Sequence, residues 1–216
     1  MKVGTDGVLL GAWANIAHCD NILDIGCGSG LISIMAAQRS KAHITGVEID
    51  PEAAAQAVEN VNNSLWSDRI EIINSDITTY NSAKKFDAIV SNPPFFSNSL
   101  KCAVSKRSTA RHDETLPCDK IMKFVADNLT SDGIFSVIIP CDFLQKWRDE
   151  ALFKGLSTSR ITEVRTVAHK QAKRVLVEFT RKVCNNAKAD TLILKNESGE
   201  YSNESKELLK DFYINI

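Results

Sequence analysis

A short turn motif, Ser91-Asn92-Pro93-Pro94-Phe95-Phe96, places two hydrogen-bond acceptors beside an aromatic ring. The side-chain oxygen of Asn92 and the backbone carbonyl of Pro93 suit the two N–H protons of a planar amino group. Such a nitrogen has a delocalised lone pair, so accepting both protons favours the pyramidal, electron-rich nitrogen of a transition state. Proline at position 94 stiffens the turn, and Phe95 offers a flat face on which an extruded base can stack. We therefore predict that the catalytic residues are Asn92, Pro93, Pro94 and Phe95. We expect Phe96 to pack in the core or in the loop.

A glycine-rich segment, Asp24-Ile25-Gly26-Cys27-Gly28-Ser29-Gly30, precedes that motif and has the composition of a strand-to-helix turn. Ligands bind at the carboxyl ends of parallel strands, and glycines let the backbone approach them closely. A dinucleotide fingerprint would place its third glycine one residue later, where Leu31 stands. The spacing therefore favours a cofactor without a pyrophosphate, such as S-adenosylmethionine.

Two acidic residues near the ends of the next two predicted strands extend this cofactor site. Glu48 ends the second strand, about 20 residues beyond the loop, where an acid can accept from both ribose hydroxyls. Asp76 follows the third strand and is placed to accept from the adenine amino group, although a carboxylate there is often only a cap. From the motifs themselves, the predicted cofactor-binding residues are Asp24, Gly26, Gly28, Gly30, Glu48, Asp76 and Asn92.

The elements that must position these residues alternate between strand and helix, which is typical of an α/β fold. The strands are predicted at 21–26, 43–49, 70–75, 86–91, 134–139, 161–167 and 174–180, and the helices at 31–38, 51–58, 120–129 and 142–153. Only a short basic turn joins the last two strands, so they should pair antiparallel. We predict a doubly wound, mostly parallel seven-stranded sheet with an antiparallel closing hairpin, as in class I methyltransferases. Residues 1–182 would form this domain, and 183–216 a C-terminal extension with a short strand at 191–195 and a final helix.

The composition is that of an ordinary globular protein. The 216 residues are 44% hydrophobic and 25% charged, enough for one domain with a sizeable core. No apolar run approaches the roughly 18 residues of a membrane span, and no secretory signal is apparent. The six cysteines are scattered without metal-ligand spacing, which favours free thiols in a reducing cytoplasm. We therefore expect a cytoplasmic protein with neither metal nor membrane partner, and a monomer.

Several segments together resemble one family, the bacterial tRNA(Val) adenine-N6-methyltransferases, which modify the adenine 3′ to the anticodon, adenine 37. They are Lys2-Val3-Gly4-Thr5-Asp6-Gly7-Val8-Leu9-Leu10-Gly11-Ala12-Trp13, the turn Asn92-Pro93-Pro94-Phe95, Ala110-Arg111-His112 and Lys173-Arg174-Val175-Leu176. The resemblance runs end to end and implies S-adenosylmethionine as cofactor and tRNA as substrate. It also implies that Thr5 and Asp6 lie beside the methionine end of the cofactor, against the alternative of a polar helix cap.

The family carries a further N-terminal segment, whereas here Met1 directly precedes the Lys-Val-Gly-Thr-Asp stretch. The resemblance therefore predicts a misassigned start or a shortened chain, and a missing segment that helps to cover the cofactor or to contact RNA.

Basic residues in two predicted loops suggest how tRNA is held. Phosphate neutralisation provides most nucleic-acid affinity, so a local patch suffices despite the net charge of −1. Both loops should open on the rim that carries the catalytic turn, although the residues alone fit a solvated charged loop equally well. The predicted RNA-binding residues are Lys101, Lys106, Arg107, Arg111, Lys173 and Arg174, with Lys170 beside them.

Other functions remain open on sequence grounds. The Asn-Pro-Pro-Phe motif is shared with glutamine, guanine and DNA-adenine methyltransferases, and a glutamine side-chain amide is also planar. A protein glutamine-N5-methyltransferase or another amino-methyltransferase of rRNA or DNA is therefore an alternative. A catalytically silent RNA-binding or cofactor-sensing module is a third, but such a module has no use for an intact Asn92-Pro93 pair.

Overall fold

The computed structural model of the protein describes residues 4–95 and 118–214, and these residues form a single eight-stranded sheet with six α-helices. The strands are β1 (Asn21–Ile25), β2 (His43–Glu48), β3 (Ile70–Asn74), β4 (Phe86–Ser91), β5 (Leu129–Pro140), β6 (Ser157–Arg165), β7 (Arg174–Thr180) and β8 (Lys188–Ile193). The helices are α1 (Thr5–Trp13), α2 (Leu31–Arg39), α3 (Pro51–Asn62), α4 (Cys118–Asn128), α5 (Leu144–Phe153) and α6 (Asn203–Leu209), with a 3-10 turn at Cys141–Phe143.

The strand order is β3-β2-β1-β4-β5-β7-β6-β8. The first five strands in this order are parallel, whereas β7 runs antiparallel to both β5 and β6. This arrangement confirms the predicted α/β class and the antiparallel closing hairpin. Since the order changes direction on either side of β1, the carboxyl ends of β1, β2 and β4 meet at one crevice, where ligands bind in open α/β sheets.

Strand periodicity separates two cores on the two faces of the sheet. On one face, residues such as Ile22 and Ile44 pack beneath α1, α2 and α6. On the other, Leu23 and Phe135 pack beneath α4 and α5. Both faces are covered, which explains why β1 and β4 are almost wholly buried and read as continuous apolar runs.

Helix α1 was not predicted from the sequence. Its glycines lower helix propensity, but they allow a close approach to α2: a Cβ at Gly11 would lie 2.7 Å from the Met35 sulfur. Tertiary packing thus determines this helix.

The C-terminal strand joins the main sheet and adds an eighth strand to the seven predicted. It pairs parallel with β6, from Arg160 opposite Lys188 to Arg165 opposite Ile193. It lies at 188–193 rather than 191–195, and β6 lies at 157–165 rather than 161–167. The polar start of β8 carries no strand signal of its own, so its conformation depends on the partner strand.

Candidate active site

The glycine loop between β1 and α2 has the sharply turned backbone that its glycines predict. Gly26, Gly28 and Gly30 have φ values of 68°, 57° and 81°, in the left-handed region that favours glycine. The amides of Gly26 and Cys27 donate to the Val47 carbonyl at 2.8 and 3.2 Å, which ties the loop to the end of β2. The loop is therefore held in a fixed curve in which Gly26, Gly28 and Gly30 present no side chain to a ligand.

Glu48 is buried at the end of β2, with 8% of its surface exposed, and binds the same loop. Its Oε2 accepts from the Gly28 amide at 2.8 Å and its Oε1 from the Asp50 amide at 3.0 Å. Backbone amides thus stabilise the carboxylate and fix its orientation. Each carboxylate oxygen has a further acceptor site, so the pair can still receive two hydroxyl protons.

Asp24 is fully buried in β1 beneath the glycine loop. Its Oδ2 accepts from the Ser33 hydroxyl at 2.7 Å, whereas its Oδ1 has no hydrogen-bond partner among the residues that the structure describes. Burial raises the pKa of the Asp24 carboxyl to about 7, with a further contribution from the nearby Glu48 charge. An orphaned acceptor at this depth is costly, and it fits a ligand that brings a cationic N–H donor, such as an amino-acid ammonium.

Asp76, predicted to bind the adenine, organises the turn after β3. Its Oδ1 accepts from the Thr78 amide at 2.8 Å, and its carbonyl accepts from the Thr79 and Tyr80 amides at 3.0 and 2.9 Å. The capping role weighed against ligand binding is therefore present. The adenine contact stays a prediction.

The turn predicted to be catalytic follows β4 beside the glycine loop, because β4 pairs with β1 up to Ser91 opposite Ile25. The Ser91 hydroxyl donates to the Ile25 carbonyl at 2.9 Å and fixes the strand end. Beyond it, Asn92 is half-buried, Pro93 buried and Pro94 exposed. The predicted amide acceptor and the predicted cofactor loop are thus brought together at neighbouring strand ends.

Phe95 is half-buried at the margin of the second core. Its ring centroid lies 5.4 Å from that of Phe143 and 6.5 Å from that of Trp147. These two rings give Phe95 contacts with the core. Base stacking stays a prediction, and Phe96 lies outside the described residues.

The methyltransferase small domain family matches residues 4–136. A tRNA1(Val) (adenine(37)-N6)-methyltransferase of Bacteroides thetaiotaomicron is 44% identical over 100% of this chain and 92% of that protein. Its counterpart in Phocaeicola vulgatus is 46% identical with the same coverage of both chains. The chain therefore belongs to the family of the tRNA1(Val) (adenine(37)-N6)-methyltransferases.

Membership confirms the family resemblance predicted from the motifs. A solved structure of a predicted O-methyltransferase from Agrobacterium tumefaciens has the same fold, with a TM-score of 0.70 and 20% identity over 95% of this chain and 96% of that one. At that identity the likeness concerns the fold alone.

Two predicted ligand-binding residues bind each other in this family member. The Arg174 Nε donates to the Asp6 Oδ2 at 2.7 Å, an ion pair in which the side chains are 39% and 35% exposed. Arg174 had been predicted for RNA and Asp6 for the cofactor. Thr5, the first residue of α1, is exposed beside Asp6.

The closing hairpin lies on the rim predicted for it. Arg174 opposes Pro140 at the end of β5, which places the 166–173 turn at the carboxyl edge of the sheet. Lys170 and Lys173 are exposed there. The remaining predicted RNA-binding residues, Lys101, Lys106, Arg107 and Arg111, lie outside the described residues.

Sequence reasoning missed two residues that line this edge. Ile49 is 65% exposed although it directly follows Glu48 and the buried end of β2. A large aliphatic residue after a strand-end acid is a usable signal for an apolar wall beside a sugar site. Gly7 of α1 approaches the catalytic turn, since a Cβ there would lie 3.8 Å from the Asn92 Nδ2. No sequence pattern links Gly7 to Asn92.

Two classes of site do not occur in the described part of the chain. No group of three or more His, Cys, Asp or Glu residues within 4–95 and 118–214 is arranged to hold a metal ion. No helix in these ranges is long and apolar enough to cross a membrane.

Proposed function

We propose that this protein transfers a methyl group from S-adenosylmethionine to N6 of adenine 37 in tRNA1(Val), in the cytoplasm. The observation that carries the proposal is the meeting of the Asn92-Pro93 acceptor pair with the glycine loop at adjacent strand ends. The curated relatives of this chain, matched over its whole length, carry the same activity in their names. When bound, the cofactor supplies an electrophilic sulfonium methyl.

The cofactor is held by the glycine loop and its two acids. Glu48, oriented by the Gly28 and Asp50 amides, accepts from the ribose hydroxyls. Asp24 provides its orphaned Oδ1 to the ammonium of the methionine end, because an ion pair there offsets the cost of burying an unpaired acceptor. Ile49 supplies an apolar wall for the adenine ring, and Asp76 accepts from its amino group.

Asn92 and Pro93 hold the acceptor nitrogen. Their oxygens accept the two N–H protons of the target amino group and favour its pyramidal, nucleophilic form. Because Pro93 is buried and Ser91 is tied to β1, the acceptors are fixed before the base arrives, and their orientation is not lost during the reaction. Phe95, supported by Phe143, stacks on the extruded base.

The rim around this crevice contacts the tRNA. Exposed Lys170 and Lys173 of the hairpin open on the same edge as Asn92, and lysines at that position neutralise phosphates without reading sequence. Residues 101–111 add further positive charge to the contact. Selection of adenine 37 then depends on the shape of the anticodon loop and on the pocket.

We further propose that residues 1–182 form the methyltransferase domain and 183–216 an extension packed on it. In support, β8 pairs with β6 and Leu209 of α6 is buried in the core under α1.

Methyl transfer in vitro tests the proposal directly. The protein is incubated with S-adenosylmethionine and either unmodified tRNA1(Val) or a glutamine-bearing protein acceptor, with Asn92→Ala as the matched control. Mass spectrometry of digested nucleosides should show N6-methyladenosine with the wild type and, in the same time, about a hundredfold less or lower still with the variant. Transfer to the glutamine acceptor but not to the tRNA would replace the proposal with the glutamine alternative.

A further inference from the structure

Helix α1 is anchored firmly at its carboxyl end. The Arg39 Nη1 donates to the Gly11 and Ala14 carbonyls at 2.6 and 2.9 Å, and the Arg160 Nη2 donates to the Trp13 carbonyl at 3.0 Å. The Arg160 guanidinium also lies 3.5 Å from the centre of the Trp13 ring. These contacts satisfy the free carbonyls of the helix end with positive charge, which suits the helix dipole.

At the amino end of α1, the Asp6–Arg174 ion pair adds a polar link to the sheet beside the buried contacts of Val8 and Leu9. Arg174 is the first residue of β7 and opposes Pro140, so the pair joins the first helical turn to the edge where β5 ends. The Arg174 Nη1 also donates to the Lys173 carbonyl at 3.2 Å, which holds the guanidinium at the strand end. The pair spans 168 positions of sequence.

The residue after Asp6 faces the catalytic turn. Among the atoms nearest to a Cβ built at Gly7 are the Leu31 Cδ2 at 3.4 Å and the Asn92 Nδ2 at 3.8 Å. The amide nitrogen is therefore the Asn92 atom closest to that position, and the first turn of α1 forms the wall behind the Asn92 amide. A shift of this turn would change the space in which that amide is oriented.

We propose that Asp6 and Arg174 are positioning residues: their ion pair fixes the first turn of α1 so that Gly7 backs the Asn92 amide. This inference rests on the proposed function, in which Asn92 accepts from the target nitrogen. It assigns Arg174 to the orientation of Asn92 rather than to a phosphate, and Asp6 to the same task rather than to the cofactor. Small displacements of positioned groups reduce turnover strongly, whereas binding is less affected.

Variants of the full chain test this assignment: Asp6→Asn, Arg174→Gln, Arg174→Lys and the double variant Asp6→Asn/Arg174→Gln. Arg165→Gln is the matched control, because Arg165 also forms an ion pair at the same sheet edge, with Glu163 at 2.9 Å, and is 37% exposed. All kinetics are measured at a temperature where every variant is folded. The readouts are kcat, the Kd of tRNA with its salt dependence, the Kd of S-adenosylhomocysteine, and the NMR signal of the Asn92 side-chain amide, assigned by its loss in Asn92→Ala.

Each single neutralisation should lower kcat about ten- to hundredfold, with the tRNA Kd and its salt slope unchanged. The double variant should be no slower than either single variant, because both remove the same ion pair. Arg174→Lys should recover part of the turnover. The Asn92 amide signal should shift in Asp6→Asn and Arg174→Gln but not in Arg165→Gln.

Different results would overturn the inference. If Arg174→Gln weakens tRNA binding and flattens its salt dependence, while Asp6→Asn binds tRNA like the wild type, Arg174 is a phosphate contact. Asp6→Asn that weakens S-adenosylhomocysteine binding, with Arg174→Gln normal, would make Asp6 a cofactor ligand. If the wild type methylates no tRNA, the proposed substrate fails, and the amide signal still decides whether the pair positions Asn92.

Discussion

The two halves of the crevice are built in different ways. On the cofactor side, the glycine loop, Glu48 and Asp24 lie within 25 residues of one another and are joined largely by backbone hydrogen bonds. On the acceptor side, the Asn92 turn, the first turn of α1 and the start of β7 come from distant parts of the chain. The cofactor side is therefore built from one local segment that binds the ligand. The acceptor side is assembled from distant segments that orient the target nitrogen. Variants should therefore separate affinity from turnover.

The largest expected effect is on the acceptor side. Asn92→Ala should lower kcat by about 10²–10³, because it removes a preorganised acceptor used in the transition state. The Kd of S-adenosylhomocysteine should stay within a few-fold of the wild type. Single-turnover kinetics and calorimetry measure the two quantities. If Asn92→Ala binds S-adenosylhomocysteine poorly but turns over normally at saturating cofactor, the two sides of the crevice do not differ in the way described.

On the cofactor side, Glu48→Ala should show the reverse pattern. Loss of a buried charged acceptor that also orders the Gly28 and Asp50 amides should cost about 1.5–3 kcal/mol, roughly ten- to hundredfold in Kd. Turnover at saturating cofactor should change little. Calorimetry with Glu52→Ala, an exposed acid in the first turn of α3, provides the control. Equal affinity of Glu48→Ala and the control would remove Glu48 from the site.

Phe95→Leu should distinguish the stacking role from core packing. Leucine keeps most of the apolar volume against Phe143 and Trp147, so stability should fall by less than about 1.5 kcal/mol. Loss of the flat face should cost about 1–3 kcal/mol of base stacking, measured as a lower kcat/KM for tRNA. Phe153→Leu, at a residue 80% exposed on α5, is the control. A large fall in Tm with unchanged activity would place Phe95 in the core only.

A smaller effect should appear in the pH dependence of cofactor binding. Burial raises the pKa of Asp24 to about 7. The folded protein without ligand therefore keeps the Asp24 carboxyl protonated at pH values where the unfolded chain has already lost that proton. Its contribution to stability therefore declines as pH rises from about 4 to 7. An ammonium beside Oδ1 favours the ionised form, so affinity for S-adenosylhomocysteine should increase between pH 5.5 and 7.5, approaching tenfold per pH unit below the pKa of about 7.

Asp24→Asn should abolish that dependence. Calorimetry across the same pH range measures it. A wild-type affinity that is flat with pH would mean that Asp24 does not face the ammonium.

The same contrast explains what the sequence could predict. The glycine loop, the strands that flank it and the Asn92 turn follow from local patterns, because glycine, proline and apolar runs restrict the chain directly. Helix α1 was not recognised, since Gly7 and Gly11 are poor helix formers. Their close contacts, with α2 for both and with Asn92 for Gly7, appear only in the folded chain. The Asp6–Arg174 pair and the parallel pairing of β8 with β6 join distant segments, and no local signal specifies them.

Burial was the other property that the sequence did not reveal. Asp24 was grouped with the glycine loop as a cofactor residue, but its complete burial and its orphaned oxygen depend on α2 packing over β1. For Asp76, the strand-end position predicted a ligand contact. The structure also gives this carboxylate a capping role in the turn after β3. Residue type and position thus located the crevice, while packing decides the environment of each group.

Mapping the methyl group on the tRNA tests the central claim most directly. Unmodified tRNA1(Val), and the same tRNA with guanine at position 37, are incubated with the protein and S-adenosylmethionine, digested to oligonucleotides and analysed by tandem mass spectrometry. One methyl group on adenine 37 of the first tRNA, and none on the second, is the predicted result. Methylation at another base, or equal methylation of both tRNAs, would contradict the proposed function.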